Sequence, residues 1–227
     1  MSKSIFIAGT ATDIGKTYVS ALVVKKLRQA GVNAGYYKAA ASGVEIDVNG
    51  KLTGGDPIYV NEIAQIGEDT TNLVSYVYKE AVSPHLAARI NNRLIDMKVI
   101  EQDYDRVRAK YEYVVVEGSG GVICPLKWEA TEHVTTLDIV KRLNLPILLI
   151  ADAGLGTINA TVLTVEYLKS HGYRIKGIIM NRYINDDMCA DNLQMIEQMT
   201  ELKVAAKISV GDMNLDIKID ELKKMFE

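Results

Sequence analysis

The chain has 227 residues, 48% of them hydrophobic and 24% charged, the balance of an ordinary folded domain and not of a disordered or fibrous chain. Lysine and arginine number 26 against 29 aspartates and glutamates, a net charge of −3. That excludes the concentrated basic excess on which nucleic-acid backbone binders depend, while a small polyphosphate ligand stays compatible, since one loop can neutralise it locally.

A chain of this length buries roughly 70% of the surface its unfolded form exposes, so it needs no disulfide or metal to fold. Cys124 and Cys189 are the only cysteines, far apart and in no CxxC arrangement. They predict a reduced, cytoplasmic protein, although the sequence leaves a bridge between them open. The apolar runs Ile5–Ala8 and Ile147–Ala151 are shorter than a signal-peptide core of roughly 7–15 residues or a bilayer span of roughly 18. The expectation is a soluble protein with no membrane or nucleic-acid partner.

Taken in chain order, Ser4–Ala8 is a short apolar strand, followed by a Gly/Thr turn. Lys16–Ala30 then carries Val19, Leu22, Val23 and Leu27 at helical spacing, with Gly31 where a C-cap belongs. Ala34–Lys38 reads as a second strand. The stretch Ala39–Gly55 is Gly-rich, aperiodic and long for a loop, which marks a functional loop and not a domain boundary. Helices are expected to start at Pro57 and at Pro84. Val114–Val116 is continuously β-branched, as in a strand buried on both faces, and Pro146–Ala151 and Ile175–Met180 repeat the signature. Thr135–Asn144, Asn159–His171 and Asp187–Glu201 have helical periodicity, and Val204–Ile208 with Ile217–Phe226 reads as a closing strand and helix. Strands alternating with helices of this length predict an α/β fold, a mainly parallel sheet with helices on both faces, in one domain over 1–227. Ligands of such sheets gather at the carboxyl ends of the strands.

The run Gly9-Thr10-Ala11-Thr12-Asp13-Ile14-Gly15-Lys16-Thr17 follows an apolar strand and opens a helix. A Gly-Lys-Thr turn in that setting points its backbone N–H groups inward and forms an anion cradle at the helix N-terminus. Lys16 would reach the β- and γ-phosphates of a nucleotide and the Thr17 hydroxyl would ligate Mg²⁺. The spacing departs from G-x4-G-K-[ST], because Gly9 stands one residue too early and Thr10 holds the usual glycine position. Glu117 ends the Val114–Val116 strand and precedes Gly118-Ser119-Gly120-Gly121, so its carboxylate belongs either in the Mg²⁺ shell or on the following turn as a cap. Asp56 is by itself at least as readily an N-cap for the helix at Pro57. Lys38 ends the second strand and should point into the same crevice as Lys16, where two cations can stabilise a phosphoryl group in transfer.

These residues resemble the dethiobiotin synthetase family. The resemblance is carried by the loop Gly9–Thr17, extra residue included, by Lys38 with Ser42-Gly43, by Asp56 and by Ser83-Pro84-His85. It continues through Glu117–Gly121, Leu155-Gly156-Thr157-Ile158-Asn159 and Asn181, in family order across nearly the whole chain. It implies a phosphate-loop NTPase-like α/β fold and a cytoplasmic homodimer with its substrate site near the subunit interface. The implied reaction takes 7,8-diaminononanoate, CO₂ and ATP, with Mg²⁺ as cofactor. One amine forms a carbamate, ATP phosphorylates it, and the second amine closes a cyclic urea. By the same resemblance Lys16, Lys38 and Thr12 are the catalytic candidates, and Thr17, Asp56 and Glu117 hold the metal. Asp13, Ile14, Gly15, Lys16, Thr17 and Tyr18 would bind the nucleotide together with Glu117, Gly118, Ser119 and Gly120, and Asn181 would pair with the adenine edge. Ser42 and Thr12 would contact the reacting end of the substrate, and Leu155, Gly156 and Asn159 its distant carboxylate at a helix start.

Several positions depart from the family pattern. Asp13 stands where glutamate is common, Ala39-Ala40 where proline is usual, Ser119 for alanine, and Ala160 where histidine is frequent. None removes a phosphate or metal ligand. Two other classes share the loop. Amidoligases of the cobyrinate synthase type add a glutamine-hydrolysing domain with a nucleophilic cysteine, for which 227 residues leave little room, and neither cysteine here has a nucleophile elbow. Nucleotide-switch ATPases commonly carry a second lysine early in the loop, and Thr10–Ile14 contains none.

Overall fold

The computed structural model describes residues 2–48 and 52–227. Seven strands form one wholly parallel sheet: β1 (Lys3–Gly9), β2 (Ala34–Ser42), β3 (Val74–Tyr78), β4 (Tyr113–Glu117), β7 (Ile147–Asp152), β8 (Ile175–Asn181) and β9 (Val204–Ile208). Their spatial order is β3-β2-β4-β1-β7-β8-β9, with a separate antiparallel ribbon of β5 (Pro125–Trp128) and β6 (His133–Thr135). The helices are α1 (Lys16–Gln29), α2 (Asp56–Ile63), α3 (Pro84–Ile90), α4 (Met97–Lys110), α5 (Thr136–Leu143), α6 (Thr157–Ser170), α7 (Asp187–Thr200) and α8 (Ile219–Met225).

The two faces of the sheet bury separate cores. Ile5, Ile7, Tyr36, Val115, Leu148 and Ile150 pack with α1, α2 and α8. Phe6, Tyr37, Val116, Leu149 and Met180 pack with α3 to α7. Alternation of side chains along each strand explains the division, and burial on both sides explains why the central strands are apolar without a break. The chain leaves β1 toward β2, β3 and β4 on one side and returns to β7, β8 and β9 on the other. That reversal opens a crevice beyond the carboxyl end of β1, and the register sets Lys38 opposite Glu117 and Asp152 opposite Asn181 along its rim.

The α/β architecture is the one expected, with some boundaries moved. The second strand continues past Lys38 to Ser42, because Ala40, Ala41 and Ser42 pair with Tyr76, Val77 and Tyr78 of β3. No proline interrupts this run, so every N–H is available to the ladder. The long aperiodic segment is therefore shorter than read from the sequence, its middle residues 49–51 lie outside the described ones, and Ile46 and Leu52 form an isolated bridge across it. The closing helix begins at Ile219, after Lys218, and not at Ile217. The ribbon β5–β6, the edge strand β3 and helix α4 were not foreseen. In α4 the apolar stripe is narrow, Ile100, Tyr104 and Val107, on an otherwise charged helix.

Asp96 supplies the missing start signal of α4, since its side chain accepts from the Lys98 N–H at 2.8 Å. Asp96→Ala should cost about 1 kcal/mol, the ordinary worth of an N-cap, measured as a lowered urea midpoint with an unchanged slope.

Candidate active site

The turn between β1 and α1 has the shape of an anion cradle. Asp13 and Gly15 both take positive φ, 57° and 87°, which curls the backbone before α1 begins at Lys16. Gly15 also allows close packing: a Cβ there would lie 2.1 Å from Asn181 Nδ2. Asn181 is buried at the end of β8, and its Nδ2 donates to the Ile14 carbonyl at 2.8 Å. Arg182, the next residue, reaches Asp152 Oδ2 at 2.9 Å and also donates to the Asp13 carbonyl. The loop is thus held from the side by β7 and β8.

Lys16 Nζ folds back onto the Ala11 carbonyl at 3.2 Å. Burial and the neighbouring Lys38 ammonium pull its pKa down from the usual lysine value. A phosphate anion in the loop would oppose both effects by favouring the charged ammonium.

Behind the loop lies a compact cluster. Lys38 Nζ sits 2.6 Å from Asp56 Oδ2 and 2.5 Å from Glu117 Oε1. The Thr17 hydroxyl is 2.8 Å from Asp56 Oδ1 and 2.9 Å from Glu117 Oε1. The second Glu117 oxygen accepts from the Tyr36 hydroxyl at 2.9 Å. Burial alone would lower the Lys38 pKa, but Glu117 and Asp56 outweigh it and hold the ammonium above its ordinary value. Asp56 is pushed up by burial and brought below the carboxylate range by Lys38 and Thr17. The Tyr36 phenol is driven well above its usual pKa, first by burial and then by Glu117, so it stays a protonated donor.

The donor set fits Mg²⁺. Among the described residues no group of three or more His, Cys, Asp and Glu side chains could hold a metal. What converges is one hydroxyl and two carboxylates, hard oxygen donors of the kind that hold Mg²⁺ when phosphates and waters complete its octahedron. The Lys38 ammonium lies between those two acids in this structure.

The crevice, about 920 Å³, is lined by Thr12, Asp13, Gly15, Lys16, Thr17, Tyr18, Lys38, Ser42, Asp56, Glu117, Ser119 and Gly120 among the expected residues. Asp56 is not a side-chain cap of α2: its carboxylate takes Thr17 and Lys38, and Gly55 precedes the helix without a side-chain cap bond. Glu117 likewise turns inward, fully buried, and caps nothing. Ile14 and Gly118 stand behind the wall. Ile14 packs into the α1 core, and a Cβ on Gly118 would lie 2.8 Å from the Phe6 ring. Leu155, Gly156 and Asn159 are not brought to the crevice of this chain; they stand exposed at the start of α6, Leu155 with 95% of its surface in solvent.

Tyr36, Tyr59 and Arg182 escaped the sequence reading. Only Tyr36 had a usable signal, its position two residues before Lys38 and hence on the same face. Cys124 lines the crevice wall, and burial pushes its thiol up, away from thiolate reactivity. Both cysteines are free, so the bridge left open by the sequence does not form.

A parallel sheet with a strand–loop–helix phosphate cradle and an acid at the end of the neighbouring strand defines a phosphate-loop nucleotide-binding protein. Residues 3–212 match the family described as AAA domain. Solved structures agree at the level of fold: a ParA family ATPase from Chlorobium tepidum TLS superposes with a TM-score of 0.58 at 12% identity, covering 100% of this chain and 89% of that one. The MinC:MinD cell division protein complex of Aquifex aeolicus gives 0.57 at 13%, covering 99% and 86%. Sequence relatives are far nearer. The ATP-dependent dethiobiotin synthetase BioD of Brachyspira hyodysenteriae is 46% identical over 228 residues, covering 100% of both chains. The protein of the same name from Clostridium botulinum is 45% identical, covering 100% of this chain and 99% of its own. The chain belongs to the dethiobiotin synthetase family.

Removing Lys38 strands two acids around one buried site. Lys38→Met should lower stability by about 3–5 kcal/mol in metal-free buffer, the cost of breaking a buried pair from one side. Millimolar Mg²⁺ should recover part of that loss in the variant and change the wild type little, read from urea unfolding with and without the ion.

Proposed function

We propose that this chain performs the ATP-dependent synthesis of dethiobiotin in biotin formation, from 7,8-diaminononanoate and CO₂. The observation that carries the reading is the convergence of two lysines on one crevice, Lys16 from the phosphate loop and Lys38 from β2, beside a hydroxyl–carboxylate cluster. Whole-length identity to named synthetases supports the same activity.

The chemistry needs positioning and charge neutralisation, and no protein nucleophile. One amine of the substrate captures CO₂, losing a proton, and becomes a carbamate. A carbamate oxygen attacks the γ-phosphorus of ATP and ADP leaves, giving a carbamic–phosphoric mixed anhydride. The neighbouring amine attacks its carbonyl carbon, phosphate departs, and the five-membered urea closes. In this scheme the backbone of 13–17 cradles the phosphates, and Lys16 neutralises charge between the β- and γ-groups. Lys38 turns from the acids toward the carbamate and the phosphoryl group in flight. Thr12 and Ser42 orient the diamine end. Bound Mg²⁺ would supply charge neutralisation for the nucleotide's phosphates, and Thr17, Asp56 and Glu117 are the residues that would hold it. Asn181 retains a carbonyl oxygen for the adenine amine, because its amide nitrogen is taken by Ile14.

The reading includes a cytoplasmic homodimer. Leu155, Leu163 and Tyr167 expose apolar surface beside Gly156 and Asn159, which supports a substrate carboxylate site completed at a boundary with a second copy. No helix among the described residues is long and apolar enough to cross a membrane.

Protein incubated with the diamine, Mg²⁺-ATP and labelled bicarbonate should place the label in a cyclic urea, with one ADP per ring. ATP turnover should be negligible until diamine and bicarbonate are both present; brisk hydrolysis of ATP alone would indicate a nucleotide switch instead. Lys16→Gln should lower ring formation by at least about 10²-fold, the scale of losing one preorganised cationic contact to a transferring group.

A further inference from the structure

We propose that Tyr36 is the residue that divides the two oxygens of Glu117, tying up Oε2 so that Oε1 alone faces the metal seat. The inference rests on the Mg²⁺ reading given above and names a positioning residue outside the expected set.

Glu117 is fully buried at the end of β4, and its two oxygens meet different company. Oε1 receives Thr17 at 2.9 Å and Lys38 at 2.5 Å, the groups that border the seat. Oε2 receives the Tyr36 hydroxyl at 2.9 Å. Tyr36 has no exposed surface and does not line the crevice, so its hydroxyl reaches the carboxylate from behind. The strand register makes this contact. Tyr36 and Lys38 share a face of β2, Val115 and Glu117 share a face of β4, and Tyr36 is paired with Val115 while Lys38 is paired with Glu117. The tyrosine ring thus spans one step diagonally to the carboxylate, whereas Tyr37 points to the opposite core and gives its hydroxyl to Ser75 and the Ile100 carbonyl.

The consequence follows from how carboxylates bind cations. A free carboxylate can offer a small dication one oxygen or both. Mg²⁺ keeps near-octahedral geometry, which two oxygens of one carboxylate, held close together, distort. A donor fixed on Oε2 removes the two-oxygen mode and sets the angle at which Oε1 addresses the ion. Ligands supported in this way commonly lose 10–100-fold in metal affinity when the supporting donor is deleted. Tyr36 is suited to the task because it is buried in one packed core with Ile5, Ile7 and Val115 of the sheet and Val19 of α1.

The test is Mn²⁺ binding, followed by electron paramagnetic resonance, to the protein saturated with a non-hydrolysable ATP analogue. Tyr36→Phe should weaken Mn²⁺ binding about 10-fold. In turnover assays the Mg²⁺ concentration for half-maximal rate should rise by the same factor, with KM for the diamine unchanged. A Mn²⁺ affinity within twofold of wild type would overturn the assignment, provided Glu117→Gln weakens it strongly. Undiminished Mn²⁺ affinity in Glu117→Gln would instead defeat the metal reading, and this inference with it. The wild type offers a second test that needs no folded Tyr36 variant. Infrared difference spectra on adding Mg²⁺ and the analogue, with Glu117→Gln as reference, should show a carboxylate stretching separation larger than that of two-oxygen coordination. A narrow, two-oxygen separation assigned to Glu117 would also overturn it.

Discussion

The site is organised around one constraint: Glu117 carries a carboxylate into the interior, and something positive must stand beside it. Burying an unpaired carboxylate costs several kcal/mol, so the fold provides cations and donors on every open side. Thr17, Tyr36 and Lys38 come from two different elements, α1 and β2, and Asp56 adds a second acid from α2. The cluster that would serve catalysis therefore also ties β2 to β4 and α1 to α2, in addition to the ladder and the packing that join them. Any change of its central cation is felt by four elements at once.

The phosphate loop is anchored with similar economy from the far side of β1. Asn181 and Arg182, adjacent at the end of β8, hold successive carbonyls of the loop, those of Ile14 and Asp13. Arg182 adds Asp152, whose other oxygen takes the Gly154 N–H at 2.8 Å just before α6. The phosphate loop and the start of α6 thus share one connected set of bonds. Asp13, shorter by one methylene than the glutamate usual in the family, uses its backbone and not its side chain in this link.

Much of this was legible from residues alone. Unbroken apolar runs located the central strands, and an acid or a lysine at the end of such a run had one sensible direction to point, into the crevice. That reasoning located Lys38 and Glu117. It could not decide Asp56, because a residue ahead of Pro57 satisfies a helix start and a distant lysine equally well on paper; only the packing of α2 on α1 separates the two. Tyr36 and Tyr37 show the same gap from another side. They are chemically identical neighbours, and a one-residue difference in register decides which of them meets Glu117. Arg182 sits exposed in a left-handed backbone conformation that arginine rarely adopts, and no sequence rule foretells it. Leu155, Gly156 and Asn159 carry a family pattern, yet no periodicity reveals that they lie outside the crevice of their own chain.

The Lys38 ammonium and a divalent cation have competing claims on the same pair of acids. Neither can be added without relieving the other, since two cations at hydrogen-bonding distance from Glu117 Oε1 would repel across a buried gap. Arrival of a metal–nucleotide complex would therefore release Lys38 rather than merely join it. Lys38 lies within β2 and lines the crevice, so under the proposed reaction a released ammonium would turn toward the γ-phosphate and the carbamate beside it. Under that reading, charge exchange at the acids would deliver the second cation only when the nucleotide is present. The timing would then follow from how many positive charges one buried carboxylate can hold.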